Sequence, residues 1–89
     1  MAQMDDLERV LKALANKRRL GIAAFVKRRK QATVGRIAKE IGLSFRSTSK
    51  HLSVLRSAGI LEREQSGLEM IYFVLPRQTP AAQHILDLI

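Results

Sequence analysis

Arg46, Ser47, Ser49, Lys50 and Ser53 crowd into one run, "FRSTSKHLSVLRSA", and every one of them can donate a hydrogen bond. Two cations and three hydroxyls suit a partner rich in acceptors and negative charge. Serine and threonine are mediocre helix formers, so a helix needing only a solvated face would favour Glu, Lys and Ala. Yet Thr48, Leu52 and Leu55 recur at helical spacing, with Val54 flanking them, and should form the packed side. The donors then fall on the other side. Short hydroxyl side chains allow such a helix to lie close in a groove about 12 Å wide, the width of the DNA major groove. Serines can bond bases or phosphates, and Arg46 or Lys50 can reach guanine O6 and N7. Phe45 suits either a thymine methyl or a hydrophobic staple onto the helix body. No Glu interrupts the run, and phosphates would repel one.

Other candidates flank it. Ser44 is a strong N-cap, and a capping hydroxyl with free first-turn amides can also bind phosphate. Further on, Arg63, Gln65 and Ser66 are candidates for phosphate contact, although Glu62, Glu64 and Glu69 weaken that part as a phosphate clamp. His51, beside Leu52 at the margin of the buried stripe, fits a hydrogen bond within helix packing better than a DNA contact. "KRRK" at 27–30 reads as a solvated helix end whose cations complement the dipole. His84 and Asp87 in "HILD" give two metal ligands where a stable zinc site wants about four, so no metal site and no cofactor is expected. No Ser/His/Asp set, Gly-rich phosphate loop or zinc-protease helix is present, which speaks against an enzyme.

The charge distribution agrees with a polyanion partner. The 89 residues carry 16 Lys and Arg against 8 Asp and Glu, a net charge of +8. Between Arg9 and Leu61 the only acid is Glu40, against fourteen basic residues. One-sign regions of that length point to nucleic acid. One Tyr and three Phe leave little for stacking single-stranded bases, so duplex DNA is favoured over RNA. Without cysteine there is neither a disulfide framework nor a thiolate metal site. With no apolar run of about 20 residues and no apolar signal core in "MAQMDDLERV", a cytoplasmic location is expected.

The elements that must position these residues are legible from caps and periodicity. Met4, Leu7, Val10, Leu11 and Leu14 mark an amphipathic helix over about 3–14. Asn16 can cap a second, whose Leu20, Ile22, Ala23, Phe25 and Val26 face inward; Gly21 within it marks either close approach by another backbone or a tolerated defect. Thr33 opens "VGRIAKEI", Gly42 ends it, and Ser44 starts the donor-bearing helix that Gly59 closes. Two helices joined by a short Gly-containing turn form a helix-turn-helix over about 33–58. "ILEREQ" and "EMIYFVL", joined through "SGL", predict a β-hairpin wing over about 60–75. Thr79 and Pro80 begin a last helix, about 79–89, with almost no polar face. The fold class is mainly α with a small hairpin: a winged helix-turn-helix of order α-α-α-α-β-β-α in one domain, 1–89. Both terminal helices are apolar enough to need a partner, which predicts a homodimer through Leu7, Leu11, Ala82, Ile85, Leu86 and Ile89.

The phrases "LKALANKRRLGI", "VGRIAKEIGLS", "STSKHLSVLRSAGIL" and "SGLEMIYFVL", together spanning about residues 11–75, resemble the ArsR-type family of winged-helix repressors. The resemblance implies a dimeric transcriptional regulator, commonly a repressor. Its helix at 45–58 would enter the major groove, and its hairpin would touch backbone or minor groove. Many members sense metals. The cysteines of the family's soft-metal sites are missing here, and of the C-terminal His and carboxylate set only His84 and Asp87 are matched. The expectation is therefore a sequence-specific, double-stranded DNA-binding homodimeric repressor with no evident effector. Two alternatives stand beside it: a metal-responsive version using His84 and Asp87 across the dimer, and a winged-helix protein-interaction module that does not bind DNA.

Overall fold

The computed structural model describes residues 1–89 as five helices and three strands. In chain order these are α1 (Ala2–Leu14), α2 (Lys17–Arg29), β1 (Ala32–Thr33), α3 (Val34–Ile41), α4 (Phe45–Ser57), β2 (Leu61–Ser66), β3 (Glu69–Val74) and α5 (Pro80–Leu88).

Every helix after the first starts at a side-chain cap, each at an expected residue. Asn16 accepts from the Arg19 amide, Thr33 from Arg36, Ser44 from Ser47 and Thr79 from Ala82. Each cap satisfies one of the otherwise unpaired amides of a first helical turn. Gly42 ends α3 at φ 76°, ψ 35°, and its amide and that of Leu43 both donate to the Ala38 carbonyl. A side chain is strained at that angle, so glycine makes the sharp entry into α4 available.

Ile22, Ala23, Val26, Ile37, Leu52, Leu55, Ile60 and Leu61 form the centre of the core, with Val10, Leu14, Phe25 and Tyr72 around them. Each large aliphatic side chain removed from water there contributes on the order of 1.5–3 kcal/mol. Gly21 does not mark a close backbone approach: the nearest atom to a Cβ placed there is Ile41 Cδ1 at 3.4 Å. Its place reflects side-chain packing of α2 on α3.

The sheet holds one strand more than expected. β1 pairs antiparallel with β3, Ala32 opposite Tyr72 and Thr33 opposite Ile71, giving the order β1-β3-β2. Two residues carry no detectable alternation, and only their pairing partner makes them a strand. β2 and β3 form the expected hairpin, from Leu61 opposite Val74 to Ser66 opposite Glu69. Gly67 takes φ 63° at the first position of the two-residue turn, where type II′ hairpins place glycine.

The terminal helices need correction. Ala82 and Leu86, expected at a dimer interface, are each 1% exposed and belong to this protomer's own core. One face of α5 packs on α1 and the body of the fold, leaving those two nothing to offer a partner. Ile85 is half-buried, and Leu7, Leu11 and Ile89 are exposed, together with Met4 and Leu88. No helix is long and apolar enough to cross a membrane.

Candidate nucleic-acid interface

The helix-turn-helix consists of α3, the three residues 42–44 and α4. What orients α4 is its buried stripe: Thr48, Leu52 and Leu55 are each 0% exposed. Thr48 is polar, and its hydroxyl is satisfied by donating to the Ser44 carbonyl at 2.8 Å. A buried hydroxyl without a partner would cost about 1–3 kcal/mol. This bond ties the first turn of α4 to its own cap. The opposite side is left free: Arg46, Ser47, Lys50 and Ser53 are exposed, Ser49 is half-buried, and Ser44 and Phe45 are exposed at the N-terminal end. Val54, expected beside the packed stripe, is instead 41% exposed. At about 3.6 residues per turn it sits roughly 120° round from that stripe, between Ser47 and Lys50, and lines an open groove between α1 and α4.

His51 is half-buried, and its Nδ1 lies 3.4 Å from Arg19 Nη1. Burial first, then the charges of Arg19 and Arg18, lowers its pKa below the ordinary value. Its role in helix packing matches the sequence reading. Arg19 itself carried no signal in "KRRLGI". Its Nε donates to the Ala13 carbonyl at 2.6 Å and its Nη2 to Lys12 at 2.9 Å, so it closes the C-terminus of α1. Cations are favoured at that helix end by the macrodipole.

In the hairpin, Arg63, Gln65 and Ser66 are exposed on β2. The Arg63 Nη1 donates to the Tyr72 hydroxyl at 3.4 Å, and Gln65 Nε2 donates to the Gly67 carbonyl across the turn. Glu62 is not a free negative charge. It accepts from Arg56 Nε at 2.6 Å and from the Arg63 amide at 2.9 Å, and these bonds, Arg56's first, hold its carboxyl below the usual carboxylate range. The pair joins the end of α4 to the start of the wing. Beyond it, Leu68 stands wholly exposed at the turn and, with Met70 and Phe45, lines an open groove of about 510 Å³ between the wing, the start of α3 and the start of α4.

"KRRK" is more than a solvated end. Lys27 Nζ donates to the Leu86 carbonyl at 2.7 Å, anchoring the end of α5, while Arg28 and Arg29 lie 5.7 and 6.0 Å from the Phe25 ring centroid. His84 and Asp87 are both exposed on α5, and Asp87 accepts from Gln83 at 2.8 Å. Nowhere do three His, Asp or Glu side chains converge as a metal site would need.

The outward side of α4 thus offers hydroxyl and cationic donors with no acid among them. No protein-family model and no curated protein matches the chain. Among solved structures it is similar to the homodimeric winged helix-turn-helix DNA-binding domain, residues 1–100, of Mb0332 from Mycobacterium bovis, a possible ArsR-family transcriptional regulator. The two are 30% identical over 98% of this chain and 77% of that one, with a TM-score of 0.84. This chain belongs to the ArsR family. The ArsR-type fold is likewise shared with the transcriptional repressor PagR of Bacillus anthracis, at 28% identity, 98% and 95% coverage and a TM-score of 0.80. HlyU from Vibrio cholerae, 24% identical, has the same fold at 0.81 over 98% of this chain and 87% of its own. ArsR-family proteins are transcriptional regulators, which agrees with the expectation that this chain is not an enzyme.

Proposed function

We propose that this ArsR-family protein is a sequence-specific regulator that binds double-stranded DNA as a homodimer and represses by occupying a promoter. The observation that carries the reading is the two-sidedness of α4. Its Thr48, Leu52 and Leu55 are sealed in the core, so Arg46, Ser47, Lys50 and Ser53 point outward on a rigid support. Such a helix can enter the major groove, with Arg46 or Lys50 at guanine edges and the serines at bases or phosphates. Ser44 and Ser49 extend the same contact, and Phe45 offers its exposed ring to a thymine methyl. Arg63, Gln65 and Ser66 are the wing's phosphate contacts.

The dimer would form through the apolar surface left outside the fold: Leu7 and Leu11 of α1, with Ile85 and Ile89 at α5. Met4 and Leu88 extend that surface. The homodimeric state of the Mycobacterium bovis domain supports a dimer, whichever surface forms it. A two-fold dimer places its recognition helices on an inverted repeat about one helical turn apart. With about 6–10 phosphate contacts, affinity should fall about 10³–10⁵-fold between 50 and 200 mM salt.

Selection of bound sites from a random duplex library, followed by titration of Arg46→Ala on the recovered sequence, tests the reading. Symmetric sites should emerge, and the variant should lose about 1–3 kcal/mol on its preferred site while relaxing its base preference. Equal loss on every duplex would make Arg46 a phosphate contact; no retained duplex at low salt would refute DNA binding.

A further inference from the structure

A second cationic surface lies beside the recognition helix, and of its residues the sequence reading had assigned only Ser53 to DNA. Arg9 and Lys12 of α1, Arg19 of α2, and Ser53 and Ser57 of α4 line the rim of one open groove of about 370 Å³, with Ala13 and Val54 contributing an apolar part. Arg19 is a fixed charge there. Its Nε and Nη2 are spent on the Ala13 and Lys12 carbonyls, which holds the guanidinium in one place without neutralising it. Arg9 and Lys12 have only exposed acidic neighbours, Asp6 at 3.2 Å and Glu8 at 3.8 Å. Ion pairs of that kind are worth about 0–1 kcal/mol and yield readily to a stronger anion. Ser53 belongs both to this groove and to the outward donors of α4, so the two surfaces are continuous.

We infer that this groove seats backbone phosphates of the bound duplex on the α1 side of the recognition helix, making Arg9 and Lys12 part of the DNA footprint. The inference rests on the DNA-binding reading above. Hydroxyls and cations are the side chains that contact phosphate oxygens, and such contacts fix register without reading sequence. The groove also stays accessible in the proposed dimer. At about 3.6 residues per turn, Arg9 lies close to half a turn away from the Met4, Leu7 and Leu11 stripe.

The test measures binding constants of the full chain against salt on a selected duplex and on an unrelated one. Arg9→Ala and Lys12→Ala should each weaken both complexes alike and reduce the slope of log K against log salt by about 1. Lys12→Arg should restore it. Both side chains are exposed, so unchanged circular dichroism and melting should accompany the loss. Wild-type slope and affinity in both alanine variants, with DNA binding intact, would overturn the inference alone. Failure of the wild-type chain to bind any duplex would overturn the DNA reading together with it. Inorganic phosphate, titrated without DNA, separates the remaining source. If Lys12→Ala abolishes saturable phosphate binding yet leaves the DNA salt slope intact, the groove is a small-anion site and the inference fails.

Discussion

The Arg19–His51 contact joins three helices through two side chains. Arg19 holds the last carbonyls of α1 and reaches His51 on the recognition helix at 3.4 Å. A neutral imidazole can accept from the guanidinium; a protonated one meets it as a like charge. In the unfolded chain His51 takes up its proton near the ordinary pKa of 6.5, whereas in the fold burial and the two arginines delay protonation to lower pH. Within that window the unfolded state binds more protons, so stability should fall as pH drops below about 6.5 until His51 in the fold is also protonated. His51→Asn keeps an acceptor near the Nδ1 position and cannot be protonated. Urea midpoints measured from pH 7.5 to 5 should decline less steeply in the variant than in the wild type, and parallel declines would remove His51 from the account. The arginine half of this contact was hidden in a basic run because its partners are carbonyls and a residue 32 positions away.

The start of α4 shows how far local wording can specify an element. Ser44, Gly42 and the Thr48, Leu52, Leu55 spacing were sufficient to place both its beginning and its buried side, since caps, turns and periodicity operate within a few residues. Ser44→Ala should lower stability by about 0.5–2 kcal/mol, and Ser44→Gly by only a few tenths. Chemical denaturation of the two variants tests the cap directly; equal losses would mean the hydroxyl contributes little through the Ser47 amide. Val54's exposure was legible but misread: at about 3.6 residues per turn it lies roughly 120° from the buried stripe, among Ser47 and Lys50. β1 was beyond this kind of reading. The strand at Ala32 and Thr33 exists only because Tyr72 and Ile71 come to meet it. That pairing fixes the wing against the entry to the helix-turn-helix, which the sequence pattern left as two independent pieces.

For the molecule as a whole, the unresolved demand is apolar surface on α1 and at the end of α5. Leu11 is 47% exposed and Met4 58%, with Leu7, Leu88 and Ile89 also uncovered. Leu11→Glu would set a carboxylate from each protomer into the proposed dimer interface while leaving the core untouched. Sedimentation should show a dimer for the wild type and a monomer for the variant, and the variant should lose affinity for a two-half-site duplex far more than for a single half-site. A wild-type monomer at micromolar concentration would refute the assignment. Apolarity alone had put Ala82 and Leu86 at this interface, but an apolar helix does not say which neighbour covers it. Here the protomer covers those two itself.

By itself the sequence determined the order of elements apart from β1, the four side-chain caps, the helix-turn-helix, the hairpin and the acid-free character of α4. Each of these follows from interactions between residues close in the chain or from charge summed along it. Tertiary structure decided which apolar residues are spent inside the protomer, where Arg19 and Lys27 find carbonyls 6 and 59 residues away, and how three helices come to line one open groove. Such outcomes depend on which surfaces win the competition for a single core, and that competition is settled only when all the elements pack together.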